Sequence, residues 1–347
     1  MIIYMSTLIK NCLKKKNPIW LMRQAGRYLP EYQLIRRKQK NFINFCLNIN
    51  AATKVTLQPI NRFDLDAAII FSDILIIPYG LGQQVEFKEN IGPVLSNYNL
   101  DVFKKKTKYE FIEKIKNVYK AINKTRSKLS KRKSLIGFVG SPWTILVYVL
   151  NGKSPKKQIT YKKILKNKEE IKELFQIIEK FVLIHAEEQI KAGADTIQLF
   201  DSWAGLINSR DLKEFCFNPT KRIIKKLKQK YPKIPIICFP RGIGKKIKEF
   251  CKVVKPNVLS IDSKIGADFV LKNINKKIII QGGMDPKFLL KGGKLMKQKA
   301  LYYLNKFNNR SYIFNLGHGV IKETKPEAVQ QLVNIVREFN ERSFRKN

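Results

Sequence analysis

The sequence predicts one α/β domain over residues 1–347, built as a parallel (β/α)8 TIM barrel. Three observations predict it. Eight short runs rich in Ile, Val and Phe recur along the chain, at 19–22, 67–71, 135–139, 196–200, 236–239, 258–261, 278–280 and 312–314. Longer stretches with apolar residues at spacings of three and four separate most of them, including 111–129, 171–191 and 211–230. Polar and glycine residues gather just after each run. Short β-rich runs alternating with helix-periodic stretches read as βα units, and eight units suffice to close a barrel. An open doubly wound sheet satisfies the same alternation.

Taken in order, the runs are followed by Arg23-Gln24-Ala25-Gly26-Arg27, Ser72-Asp73, Gly140-Ser141-Pro142-Trp143 and Asp201-Ser202-Trp203. The later ones are followed by Arg241-Gly242, Asp262-Ser263, Gln281-Gly282-Gly283 and Asn315-Leu316-Gly317-His318-Gly319. In a parallel barrel the C-terminal strand ends share one face, which is where such enzymes keep their chemistry. No internal repeat, low-complexity tract or long Pro/Gly linker argues for a second domain.

A chain of 347 residues with 44% hydrophobic content can bury a large core. Its five cysteines, Cys12, Cys46, Cys216, Cys238 and Cys251, are odd in number and form no CxxC pair. That pattern argues against a disulfide framework or cysteine zinc site and for a reducing, cytoplasmic setting. Near the N-terminus, apolar Ile2, Ile3 and Tyr4 precede the basic residues 14–16, the reverse of a secretory signal. The most apolar stretch, 138–150, contains Pro142 and is shorter than the ~20 residues of a membrane helix, so no membrane insertion is expected. The net charge of +41 invites a nucleic-acid reading. However, lysines such as Lys225, Lys226, Lys228, Lys276 and Lys277 are spread along the chain and not interleaved with stacking aromatics. A lysine-rich solvated surface explains them without a specific nucleic-acid partner, and its field would still draw in a polyanionic small molecule.

The segment from Pro18 to Tyr32, PIWLMRQAGRYLPEY, closely resembles the N-terminal signature of uroporphyrinogen decarboxylases. Further matches follow in order: FSDIL from Phe71, GFVGSPWT from Gly137, FDSWAG from Phe200, QGGMDP from Gln281 and NLGHG from Asn315. Together they span almost the whole chain. The resemblance implies a single TIM barrel, a homodimer, and conversion of uroporphyrinogen III to coproporphyrinogen III without metal or organic cofactor. Two departures stand out: Gly283 replaces the family's usual Asn, and Tyr79-Gly80 replaces a more usual Glu-Ala. Both leave local loop shape open.

Losing carbon dioxide from a pyrrole acetate needs an electron sink, and a ring protonated on carbon provides one. The protein then supplies orientation, charge and protons. Asp73 follows an apolar run, where its carboxylate could accept pyrrole N–H groups and steady ring charge; alternatively it caps the next helix. Arg23 and Arg27 lie four apart, on one face of a helical turn, and guanidinium forks grip carboxylates where ammonium groups do not. Surface ion pairs, for example with Glu31, are the plainer fate. The resemblance places catalysis on Asp73, Arg23 and Tyr148. It places substrate contacts on these three together with Gln24, Ala25, Gly26, Arg27, Arg36, Ser202 and His318. Phe138 and Phe200 read as apolar walls against a macrocycle, or as ordinary core. Gly317 and Gly319 flank His318 and would let backbone approach a ligand. His185, in a helical stretch beside Glu187 and Glu188, reads as structural. With two histidines and no His-x-Cys pattern, no zinc site is expected, which disfavours the zinc-dependent methyltransferases that share the barrel.

Overall fold

The computed structural model describes residues 6–14, 16–39, 41–155 and 168–345. Seven parallel strands follow one another round a sheet in chain order: β1 (Ala67–Ile69), β2 (Ser134–Gly140), β3 (Thr196–Asp201), β4 (Ile236–Pro240), β5 (Val258–Ile261), β6 (Ile279–Gly282) and β7 (Tyr312–Ile313). Residues 18–20 fill the eighth place. Ile19 bridges in parallel to Phe314, whose N–H donates to Pro18 O at 2.8 Å, while Asp66 N–H donates to Ile19 O at 2.8 Å. The sheet is therefore closed on itself as a TIM barrel, and the open doubly wound alternative falls away.

The first run differs from the prediction of a full strand, because only Ile19 pairs. Met22 and Arg23 already turn away, and a side chain substitutes for the missing ladder: Asp66 Oδ2 accepts from Ile19 N–H at 2.6 Å and meets Arg337 Nη1 at 2.9 Å. Two other elements differ from expectation. An antiparallel hairpin, Val85–Lys88 with Gly92–Leu95, sits outside the barrel, turned through left-handed Asn90 and Gly92. The stretch predicted as a helix over 211–230 opens with a π-helical turn, Lys213–Phe217, before the α-helix Asn218–Lys230. Pro219 at the join has no N–H to keep an α ladder continuous.

Alternation along the strands divides the core in two. Outward residues such as Leu135, Leu199, Cys238 and Leu259 pack under the helices, and inward ones such as Ile69, Ile136, Ile237 and Ile279 fill the barrel. Helix Thr7–Leu13 plugs the N-terminal end with Leu8, Ile9 and Cys12. It is anchored where Ser6 Oγ meets Ser134 Oγ at 2.9 Å and Thr196 Oγ1 donates to Ser6 Oγ at 2.8 Å. Midway up the barrel a polar layer crosses the axis. Trp20 Nε1 donates to Gln281 Oε1 at 2.9 Å, and Gln281 Nε2 reaches Gln198 Oε1 and Ser260 Oγ, each at 3.2 Å. All five cysteines are free and buried.

Because the buried Gln281 joins three partners inside the barrel, Gln281→Leu should leave the Trp20 indole N–H unpaired and cost about 1–3 kcal/mol. Urea unfolding of that variant, with and without Trp20→Phe, checks this; an unchanged midpoint for the single variant would dismiss the layer as a stabilising element.

Candidate active site

The turn after the first run is built by Gln24. Its Oε1 accepts from Leu21 N–H at 3.1 Å, its Nε2 donates to Ala67 O at 3.1 Å, and its backbone O accepts from Tyr28 Oη at 2.8 Å. Gln24 is fully buried, so its side chain faces protein. Arg23 takes a left-handed φ of 62°. Residues 21–29 consequently run as turns and bends, and the helical turn expected to align Arg23 with Arg27 is absent. The Arg27 guanidinium remains close enough to disfavour the charge on Arg23. Ala25 and Gly26 lie half-buried within the bend.

Arg23 is exposed by its accessible surface although protein atoms crowd round it, as for a side chain lining a concave mouth. Desolvation pulls its pKa below the ordinary arginine value, Asp73 and Tyr148 oppose that shift, and Arg27 and Arg241 reinforce it. Gly319 makes the room. A Cβ there would stand 2.4 Å from Arg23 Cδ and 2.6 Å from Cγ. At Gly317 a Cβ would fall 2.4 Å from Ser263 N. The two glycines that flank His318 thus make room for an arginine stem and a neighbouring loop.

Asp73 stands beyond β1 with Oδ1 accepting from Leu75 N–H at 2.8 Å. It makes the local turn considered from sequence and still faces Arg23. Burial raises its pKa to about 6, against the lowering effects of the Leu75 N–H and Arg23. Beside it, Ser72 Oγ is buried without a hydrogen-bond partner among the described residues. Tyr148 comes from helix Pro142–Asn151, which starts directly after β2. Burial raises the phenol's pKa, so it stays protonated, and its ring meets Trp203 edge-on at 6.1 Å. His318 is pushed down to about 4, first by burial and then by Arg23 and Arg241, so its imidazole is neutral at pH 7.

Below these groups Phe138 and Phe200 point inward from β2 and β3, only half-buried and edge-to-face at 5.6 Å. They form an apolar floor. Ser202, also half-buried, follows β3. Arg36 is turned partly to its own helix end: Nη1 donates to Gln39 O at 2.5 Å and the guanidinium lies 5.8 Å from the Phe42 ring centre. Its charge, with that of Arg27, is felt at Tyr32. Arg23 therefore lies within electrostatic reach of Arg27, Asp73, Tyr148 and His318, whereas Gln24 braces the turn from behind. His185 is buried with Nδ1 3.0 Å from Tyr119 Oη, and its pKa falls to about 3. No group of three His, Cys, Asp or Glu able to hold a metal occurs among the described residues. Clefts of about 390 and 250 Å3 lie elsewhere and contain none of the site residues.

Two residues escaped the sequence reading. Arg241 directly follows β4 and acts on both Arg23 and His318; its place after an apolar run was the available signal. Asp201 is buried with Oδ1 accepting from Thr144 Oγ1 at 2.7 Å, and burial raises its pKa to about 6. Alternation gave its direction, since inward Phe200 turns Asp201 outward to the helix layer.

The uroporphyrinogen decarboxylase (URO-D) family model matches residues 7–339. The chain belongs to this family. It is 45% identical to the uroporphyrinogen decarboxylase of Rickettsia bellii (strain RML369-C) over 342 residues, covering 96% of this chain and 99% of that protein. The Rickettsia felis protein of the same name is also 45% identical, over 96% of this chain and 98% of its own length. Among solved structures, a methyltransferase from Methanosarcina mazei shares the fold with a TM-score of 0.77 at 17% identity, covering 97% and 99% of the two chains. The departures from the family's usual residues are matched by their surroundings. A Cβ on Gly283, at φ 103°, would stand 2.7 Å from Tyr303 Cε1, and one on Gly80 would stand 2.5 Å from Phe111 Cε2. Aromatic rings occupy the space that larger residues would need.

The Asp73 shift has a stability consequence. Folded protein holds this proton up to about pH 6, while the unfolded chain releases it near 3.8, so Asp73's contribution declines as pH rises through that window and stays lost above it. Asp73→Asn should therefore be more stable than the parent by up to about 3 kcal/mol at pH 7.5, with the gap closing near pH 4. Denaturant midpoints at both pH values test this; a pH-independent difference would contradict it.

Proposed function

We propose that this chain decarboxylates the four acetate side chains of uroporphyrinogen III to methyl groups, giving coproporphyrinogen III. The observation that carries this reading is one carboxylate, Asp73, faced by Arg23 above an apolar floor of Phe138 and Phe200. A domed tetrapyrrole presents pyrrole N–H groups to such a carboxylate, its face to the rings, and its eight carboxylates to the cations.

Above pH 6 Asp73 is ionised and can accept those N–H groups. Once a ring carbon gains a proton from solvent, the same carboxylate stabilises the cation in a partly desolvated site, and the ring receives the electron pair released as carbon dioxide leaves. A proton from solvent then converts the exocyclic methylene to methyl as the ring carbon gives up its own. Arg23 holds the reacting acetate, assisted by Arg27 and Arg36. Tyr148 and neutral His318 donate hydrogen bonds to substrate carboxylates, and Ser202 offers a further hydroxyl. Gln24, Ala25 and Gly26 keep the Arg23 turn in shape. The protonated ring is its own electron sink, so the proposed chemistry calls on no cofactor. Family likeness supports a homodimer of single-domain subunits acting in the cytoplasm. No described helix is long and apolar enough to cross a membrane.

Anaerobic incubation with uroporphyrinogen III, then oxidation and chromatography, should show products with seven down to four carboxylates. A folded protein that removes none would refute the reading. Asp73→Asn should fold and lose nearly all turnover; normal turnover would remove Asp73 from the mechanism. For the parent, kcat/KM should fall as pH drops through about 6, where Asp73 takes up its proton. An acid limb left unmoved below pH 5 would mean that ionised Asp73 is not required.

A further inference from the structure

Arg241 sits where the barrel's closure sets it opposite Arg23. Counting round the ring from the Ile19 segment, β4 is four places away in either direction, through β1, β2 and β3 or through β7, β6 and β5. Its backbone is held from both sides. Arg241 N–H donates to Asp201 O at 3.1 Å and its O accepts from Gly205 N–H at 2.9 Å. Gly242, at φ 84°, then turns the chain and donates to Asp262 Oδ2 at 2.8 Å. This turn packs so closely on Gly205 that a Cβ there would meet Gly242 O at 2.9 Å. The side chain is half-buried, and among the described residues no carboxylate lies within ion-pair distance of it and no side-chain hydrogen bond engages it. Its charge nevertheless reaches both Arg23 and His318.

Like charges facing each other across a partly desolvated mouth, with Asp73 committed to the Arg23 side, leave a seat for an anion. We propose that Arg241 binds a carboxylate of the tetrapyrrole on a pyrrole other than the one reacting, and so sets which ring is presented to Asp73. This rests on the decarboxylase reading and adds a substrate-positioning residue to it.

Arg241→Gln should raise KM for uroporphyrinogen III about tenfold or more while leaving kcat within about threefold, and Arg241→Lys should recover part of the loss. The two histidines give a substrate-free readout. In Arg241→Gln the NMR titration midpoint of His318 should move up, while buried His185 stays unchanged. An unchanged KM, a loss confined to kcat, or an unmoved His318 midpoint would each overturn the inference while an active parent in the same assay keeps decarboxylation standing. A parent without turnover would overturn the functional reading, and this inference with it.

Discussion

Residues 18–20 close the barrel with a few backbone hydrogen bonds, and the mouth depends on them. Pro18, Ile19 and Trp20 are clasped between Phe314 on one side and Asp66 on the other, so Arg23 leaves the ring at a fixed point. Asp66 completes the clasp by accepting from Ile19 N–H and pairing with Arg337 of the last helix, Pro326–Arg345. The segment round Ile19 and the last described helix are thereby tied together. Gln24 converts that anchoring into the left-handed turn that aims Arg23, and Gly319 supplies the channel through which the arginine stem passes.

Charge in this protein works at two scales. The net +41 is distributed over the surface, where pairs such as Lys104 with Glu173 and Lys306 with Asp268 are exposed and contribute little to stability. At the mouth, by contrast, burial lowers Arg23 and His318 and raises Asp73. Cations there are poised to be satisfied by an arriving polyanion, and the surface field favours that arrival. The same desolvation that makes Asp73 costly to ionise makes its carboxylate effective toward a developing cation, a common exchange of stability for function.

Close packing sets the limits on variation around this frame. Gly283 and Tyr303 form one unit, since the ring fills the space beside the glycine and its hydroxyl donates to Gly283 O at 2.8 Å. Gly80 and Phe111 form another. Each pair is expected to change together, because enlarging one member drives its Cβ into the other's ring.

The sequence by itself determined the βα alternation, the strands near 67, 135, 196, 236, 258, 279 and 312, and the gathering of polar residues behind them. Periodicity is a local property and is written in adjacent residues. It also carried the signature residues, Arg23, Asp73, Tyr148 and His318 among them. Only the tertiary structure decided that the first run pairs through Ile19 alone, that Gln24 turns inward, and that Gly317 and Gly319 make space for protein. It alone brought Arg241 opposite Arg23, from more than half a chain away. These outcomes depend on which groups meet when the ring closes. The burial that shifts Asp73 and, with the nearby arginines, keeps His318 neutral does not exist before it does.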